Sequence, residues 1–300
     1  MAEQSNQLES LSAALVERST GARDNVIAIR IDEQHHVTGT LWQPGLIVAS
    51  NQALPQLDEF EGMLPGGTIQ MARLIGRDPG TNIALLRLSE PVGSPALKPA
   101  NAKIGAIVLA MGADGKGSNT ARLGIISQSG PEWHSSFGGR IDNYIGLDLR
   151  LSRREEGGPV IDAAGGFIGI STFGPRGRLL AIPASTIERV VPILERDGRI
   201  ARGWLGIALQ PVAIPDSFQD AGTQASGLMA MSTVDGGPAA EAGIVAGDII
   251  ITFNGTPARR HRIIASQLGP ESIGQKANLR IIRGGSVISL ETTIAERPRG

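Results

Sequence analysis

The chain has 300 residues, 41% of them hydrophobic and 19% charged, a balance that suits a folded protein and argues against wholesale disorder. Its 28 lysines and arginines face 29 aspartates and glutamates; a cut at residue 202 leaves 20 against 21 before it and 8 against 8 after it, so neither part has the cationic excess expected of a nucleic-acid partner. Cysteine is absent, which excludes disulfides, thiolate nucleophiles and thiolate metal sites.

The opening stretch, MAEQSNQLESLSAALVERST, lacks a basic n-region and a continuous apolar core, so it does not read as a secretory signal. No later run reaches the roughly 18–20 apolar residues that span a bilayer. These features predict a cytoplasmic protein. Leu8, Leu11 and Leu15 share one helical face, and so short an amphipathic stretch needs something to dock on. Residues 1–21 are therefore read as a separate N-terminal segment.

With 40 glycines and 18 prolines, breakers are dense and the elements between them are short, which favours β structure. Strand-sized apolar runs follow at Val26–Ile31, Leu46–Ala49, Ile83–Leu88, Ile107–Met111, Leu123–Ile126, Tyr144–Leu149 and Phe167–Ser171. Many short strands at this spacing predict a barrel or sandwich, over a span long enough for two small barrels. Residues 184–197 change period: Ile187, Val190, Val191 and Leu194 repeat as a helix face, with Ser185 as N-cap, Gly198 as stop and Pro192 expected to kink it. A link at 199–202 leads to further strands at Trp204–Leu209, Leu228–Thr233, Ile249–Phe253 and Leu279–Ile282. Short helices are expected at Ala239–Ala242 and His261–Leu268, and Asn254-Gly255 marks a turn.

Particular segments carry a resemblance. Gly203-Trp204-Leu205-Gly206-Ile207, the run Gly237 to Ile250 (GPAAEAGIVAGDII) and Asn254-Gly255 resemble a PDZ domain of the HtrA type. Upstream, Gly45-Leu46-Ile47-Val48, the run Asp78 to Leu86 (DPGTNIALL) and Glu156-Gly157-Gly158-Pro159-Val160 resemble the three catalytic segments of HtrA trypsin-like proteases. The resemblance covers residues 22–300 and implies a mainly β chain: a trypsin-like double six-stranded β-barrel over 22–198, a linker over 199–202, and an α+β PDZ domain over 203–300.

The departures bear on function. Where the resemblance implies a histidine the chain has Gln52; for the aspartate it has Asn82, and for the nucleophilic serine Glu156. Arg154 stands where the oxyanion loop carries glycine. A serine nucleophile needs a base of near-neutral pKa, and an amide such as Gln52 does not titrate there. Asn82 brings no charge to stabilise an imidazolium; in the serine-protease triad an aspartate-to-asparagine change alone lowers turnover about 10⁴-fold. The remaining histidines offer no replacement. His35 and His36 are adjacent and point to opposite faces of a strand, His134 lies in an expected loop, and His261 lies in the PDZ half. No metal motif and no cofactor motif occurs.

The run Arg153-Arg154-Glu155-Glu156 allows two readings: a solvated charge cluster, or a plug in which Arg154 pairs with Glu156 and fills the oxyanion hole. In the PDZ half, the loop Trp204-Leu205-Gly206-Ile207 matches the segment that captures a C-terminal carboxylate, with Ile264 and Leu268 as the opposite wall. The expected function is that of a non-catalytic pseudoprotease, a scaffold or regulatory subunit. It would bind protein C-termini and assemble with itself or with HtrA-like subunits, and the resemblance implies the periplasm as the alternative to a cytoplasmic location. The alternative is a residual or repurposed hydrolase using the degenerate protease groove, either through another arrangement of residues or with Glu156 as an acid or base.

Overall fold

Most continuous apolar runs become buried strands here, although the run Leu123–Ile126 leaves Leu123 and Ile125 exposed, and alternating runs become half-exposed strands. The structure, a computed structural model, describes residues 2–93, 97–214, 218 and 224–298. The chain packs as two units: Met1–Trp133 with Arg140–Ile200, and Ala201–Gly300 with His134–Gly139.

In the first unit, β1 (Val26–Arg30), β2 (His36–Gln43), β3 (Leu46–Ser50), β4 (Glu59–Met63), β5 (Ile69–Asp78) and β6 (Ile83–Leu88) close a barrel in the order β1-β2-β3-β6-β5-β4. A second barrel holds β7 (Ile107–Ala113), β8 (Asn119–Gly130), β9 (Tyr144–Asp148), β10 (Pro159–Asp162), β11 (Phe167–Phe173) and β12 (Leu179–Pro183), ordered β9-β12-β11-β10-β7-β8. All pairings in both barrels are antiparallel. This is the expected pair of six-stranded barrels. The apolar runs locate β1, β3, β6, β7, β8, β9 and β11. They miss β4 and β5, whose buried positions alternate with exposed ones, β2, which opens on polar residues, and β10 and β12, which are short although largely buried.

Helix α1 (Ala2–Gly21) is longer than its apolar stripe. Leu15 packs against Ala22, Val26 and Leu109, whereas Leu8 and Leu11 are exposed, so only the C-terminal half is docked. Helix α2 (Ala184–Asp197) starts one residue ahead of the expected cap, with Pro183 at the N-cap. It buries Ile187, Val190, Val191 and Leu194 against Leu46, Val48, Ile83, Leu85, Ile170 and Ile182, each side chain contributing about 1.5–3 kcal/mol. Pro192 does not break it. Pro192 and Glu188, whose carbonyl loses its helical partner, are both exposed, so that carbonyl lies where solvent can reach it. Gly198 ends the helix at φ 71, donating its N–H to the Leu194 carbonyl.

The second unit is an antiparallel sheet of β13 (Ile207–Ala213), β14 (Ser226–Thr233), β15 (Ile249–Phe253), β16 (Lys276–Arg283) and β17 (Ser286–Thr293) in that order. Helices α3 (Pro238–Glu241) and α4 (His261–Ser266) pack on it around Leu228, Ile250, Phe253 and Leu279. The expected strand Trp204–Leu209 is divided. Gly203-Trp204 pairs with Ala295-Glu296, and β13 begins only at Ile207 because Gly206 takes φ 69. A Cβ there would also lie 2.9 Å from the Trp204 ring, so the turn requires glycine.

Candidate functional site

Gln52, Asn82 and Glu156 come from three separate segments and meet in one hydrogen-bonded cluster where the barrels adjoin. Asn82 holds a left-handed φ of 60, a conformation asparagine tolerates, just ahead of β6. There its Oδ1 accepts the Gln52 N–H at 2.8 Å. Its Nδ2 donates to Ser50 Oγ at 2.9 Å and to Thr172 Oγ1 at 2.8 Å. Both hydroxyls in turn donate to Glu156 Oε1, each at 2.9 Å. Gln52 Nε2 donates to the same oxygen at 2.6 Å and to the Phe173 carbonyl at 2.8 Å. The Phe173 N–H reaches it at 3.3 Å. Glu156 is 1% exposed, and a buried carboxylate demands such partners.

The backbone below is held by glycines with no room to change. Gly157 sits at φ 91, and a Cβ on it would fall 2.2 Å from the Thr38 carbonyl; one on Gly158 would fall 1.9 Å from that of Met111. The preceding turn, Arg153–Glu155, is a 3-10 helix with a capping box between Ser152 and Glu155. It directs the Glu156 N–H to the Arg153 carbonyl at 3.4 Å.

Both expected readings of the charge run need correction. Glu155 is 2% exposed and Glu156 1%, so the run is not a solvated cluster. Nor does Arg154 pair with Glu156. The 3-10 turn advances three residues per revolution, which sets Arg153, at i−3, beside Glu156 (Nη1 to Oε2, 3.7 Å) and stacks its guanidinium on Phe173 at 4.3 Å. Arg154 is exposed and lines a surface hollow with Arg30, His36 and Lys116, while its carbonyl accepts from Thr38 Oγ1 at 2.8 Å. Glu155 accepts from Thr120 Oγ1 at 2.7 Å, Arg122 Nε at 2.8 Å and the Ser152 N–H at 2.7 Å. Burial alone would raise its pKa, but these donors outweigh burial and hold it below the ordinary value.

In the second unit the loop ahead of β13 has a different character. Leu205 is buried in the core and its carbonyl accepts the Ala239 N–H at 2.8 Å; the Gly206 carbonyl accepts the Val234 N–H at 2.8 Å. The backbone N–H groups of Leu205 and Gly206 have no acceptor among the described residues. Among the described residues strand β13 pairs only with β14 and is an edge. Helix α4 lies beside it, and His261 Nε2 bonds the Leu209 carbonyl at 2.6 Å. Of the expected groove residues, Leu205 and Ile264 are consumed by the core. Trp204, Ile207 and Leu268 are half-buried, and the Leu268 carbonyl holds the Gly203 N–H. A neighbouring carboxylate, Asp248, is 1% exposed and takes Arg283 at both oxygens (2.7 and 2.6 Å). Burial would raise its pKa; Arg283 and the Val245 N–H together lower it.

Family models match the chain twice: trypsin-like peptidase domain over residues 37–170 and PDZ domain over 203–294. A DegP-like periplasmic serine endoprotease of Brucella suis is 33% identical over 266 residues, covering 85% of this chain and 51% of its own length. The chain belongs to the HtrA family. Another DegP-like periplasmic endoprotease, from Rhizobium meliloti, is 30% identical over 85% of this chain and 52% of its own, so the chain spans about half the length of these relatives. Among solved structures, the HtrA-type protease AlgW with a tripeptide matches at TM-score 0.70 and 25% identity, covering 95% of this chain and 98% of that one. The serine endoprotease of Yersinia pestis matches at 0.71 and 25%, over 94% and 97%.

These HtrA relatives correct the expected cytoplasmic location, because they are named periplasmic proteins. That expectation rested on the composition of the first twenty residues, of which those from Ala2 onward belong to α1. Among the described residues no helix is long and apolar enough to cross a membrane, and no group of three or more His, Asp or Glu side chains could hold a metal. Ser50 and Thr172, which complete the cluster, escaped the sequence reading because isolated hydroxyls in strands carry no pattern. The i, i+3 spacing of Arg153 and Glu156 was the available signal for their pairing.

Proposed function

We propose that this chain is a non-catalytic member of the HtrA family, a scaffold or regulatory subunit that binds protein C-termini through its PDZ domain. In this reading Gln52, Asn82 and Glu156 occupy the places of the base, its orienting carboxylate and the nucleophile, and Arg154 that of the oxyanion-loop glycine. The domains run 22–198 and 203–300, joined by 199–202. The chain works in the periplasm, as its relatives are named to do, and assembles with itself or with HtrA-like subunits.

The observation that carries the reading is how the cluster's protons close. Ser50 and Thr172 each have one hydroxyl proton, and both donate it to Glu156 Oε1. They must therefore accept from residue 82, which the amide of Asn82 permits and an aspartate would not. The same side chains that make proteolysis unworkable fit one another as a buried polar network. The Glu156 N–H, turned to the Arg153 carbonyl, is not offered to a developing oxyanion. A hydrolase built on Glu156 finds no support, since that carboxylate is 1% exposed and its Oε1 already holds its donors.

The test is incubation of the full chain with unfolded casein and with a fluorophosphonate probe. Neither cleavage nor labelling is expected, and the combined Gln52→His, Asn82→Asp, Glu156→Ser variant recovers no efficient cleavage because the Arg153–Glu155 turn persists. Casein turnover by the natural chain that disappears in Glu156→Ala would establish a hydrolase instead. Efficient cleavage by the triple variant would show that the oxyanion loop is intact.

A further inference from the structure

The end of the PDZ groove farthest from the carboxylate loop carries a dense positive charge. Arg259, Arg260, His261 and Arg262 follow one another at the start of α4, and all four are exposed. With Pro211, Val212 and Ala213 of the edge strand they line an open hollow. The PDZ half as a whole is charge-balanced, 8 against 8 after residue 202, yet three of its cations fall within these four residues. Among the described residues neither Arg260 nor Arg262 has a carboxylate within ion-pair distance. The apolar character of Ile207 and Leu209 near the loop gives way to charge within one strand length.

We infer that this groove selects C-terminal tails bearing acidic residues about five to seven positions before the end. The inference rests on the peptide-binding role proposed above for the PDZ domain. A tail added antiparallel to β13, with its carboxylate at the Leu205 and Gly206 N–H groups that lack an acceptor among the described residues, places its last residue opposite Ile207. Each earlier residue moves one position along the strand. The fifth to seventh from the end then lie opposite Pro211, Val212 and Ala213, beside Arg260 and Arg262. Strand side chains alternate between faces, so a block of acidic residues presents at least one carboxylate to the arginines whatever the register. Exposed guanidinium–carboxylate pairs are individually weak and salt-sensitive, so the effect is one of selection among tails.

The experiment uses immobilised full-length protein and libraries of ten-residue peptides, random in the last four positions. Positions five to seven from the end are fixed as three glutamates, three serines or three lysines, and each library is made with a free and with an amidated C-terminus. Free-acid libraries are expected to be retained in the order glutamate, serine, lysine. Glutamate should exceed serine about fivefold at low salt, within the range two exposed pairs supply, and the ratio should shrink toward one at 0.5 M salt. Arg260→Glu with Arg262→Glu should reverse the order while keeping the preference for free over amidated ends. Free-acid preference without glutamate preference overturns the inference and leaves the peptide-binding reading standing. Equal retention of free and amidated libraries overturns both. A single-stranded oligonucleotide that displaces the glutamate library, and loses that ability in the charge-reversal variant, would assign the cluster to nucleic acid instead.

Discussion

The cleft between the barrels and the edge of the PDZ sheet use similar polar groups in opposite ways. Around Glu156 the donors of Gln52, Asn82, Ser50 and Thr172 find acceptors inside the same cluster. At the loop before β13 two adjacent backbone N–H groups are held in place by a glycine turn and find none among the described residues. A closed set of partners stabilises the fold and has little left for a ligand; an open, preorganised set has the reverse character. Family membership alone would have placed function in the cleft. We propose instead that it lies at the sheet edge, where the donors remain open.

The largest expected effect separates the two regions directly. Glu156→Ala leaves the hydroxyls of Ser50 and Thr172 and the Gln52 amide without their shared acceptor, in a site too buried for easy hydration. A loss of about 3 kcal/mol of barrel stability is expected. Hydrogen exchange followed by mass spectrometry should show faster exchange in β3, β11 and the Arg153–Glu155 turn, with the protection of β14 and β15 unchanged. Unaltered protection in β3 and β11 would mean that the cluster is decorative, and the contrast between the regions would collapse.

Acid should weaken both units through different carboxylates. Glu155 and Asp248 each have native pKa values held below the ordinary one by their donors, despite burial that acts the other way. A depressed native pKa contributes stability that is complete above roughly pH 5 and is lost as pH falls through the native value. Glu155→Gln should therefore flatten the acid limb of the barrel transition alone, and Asp248→Asn that of the PDZ transition alone. Exchange protection measured between pH 6 and pH 3 distinguishes them. A crossed result, with Asp248→Asn altering the barrels, would show that the two units do not unfold independently.

Much of this was legible in the chain, for reasons that differ by residue. Val26–Arg30, Leu46–Ser50 and Ile83–Leu88 are buried on nearly every side chain, and continuous apolar runs announce such strands. Glu59–Met63 and Ile69–Asp78 bury alternate positions only, and their polar faces blur into the neighbouring loops. Gln52, Asn82 and Glu156 were found through resemblance, not through any pattern of their own. Their mutual contacts could not be read, because hydrogen bonds across 104 residues, such as that from Gln52 to Glu156, leave no trace in local spacing. The edge position of β13 was equally hidden, since which strand lacks a second neighbour is a property of the whole sheet.

The smallest expected effect concerns Arg153, the cation paired with Glu156 among the described residues. Its side chain is 74% exposed, its distance to Glu156 is 3.7 Å, and its stack on Phe173 is open to water. Exposed ion pairs and cation–π contacts of this kind contribute under about 1 kcal/mol each. Glu156 takes its hydrogen bonds from Ser50, Thr172 and Gln52 at Oε1, whereas Arg153 makes only a long contact to Oε2. Arg153→Ala is therefore expected to lower the barrel Tm by no more than a few degrees, and to leave the exchange of β11 close to that of the natural chain. A loss rivalling that of Glu156→Ala would mean that Glu156 depends on a counter-charge rather than on its hydroxyl and amide donors. The cleft would then be an electrostatic lock on Arg153, and its contrast with the PDZ edge would lie in charge instead of in hydrogen bonds.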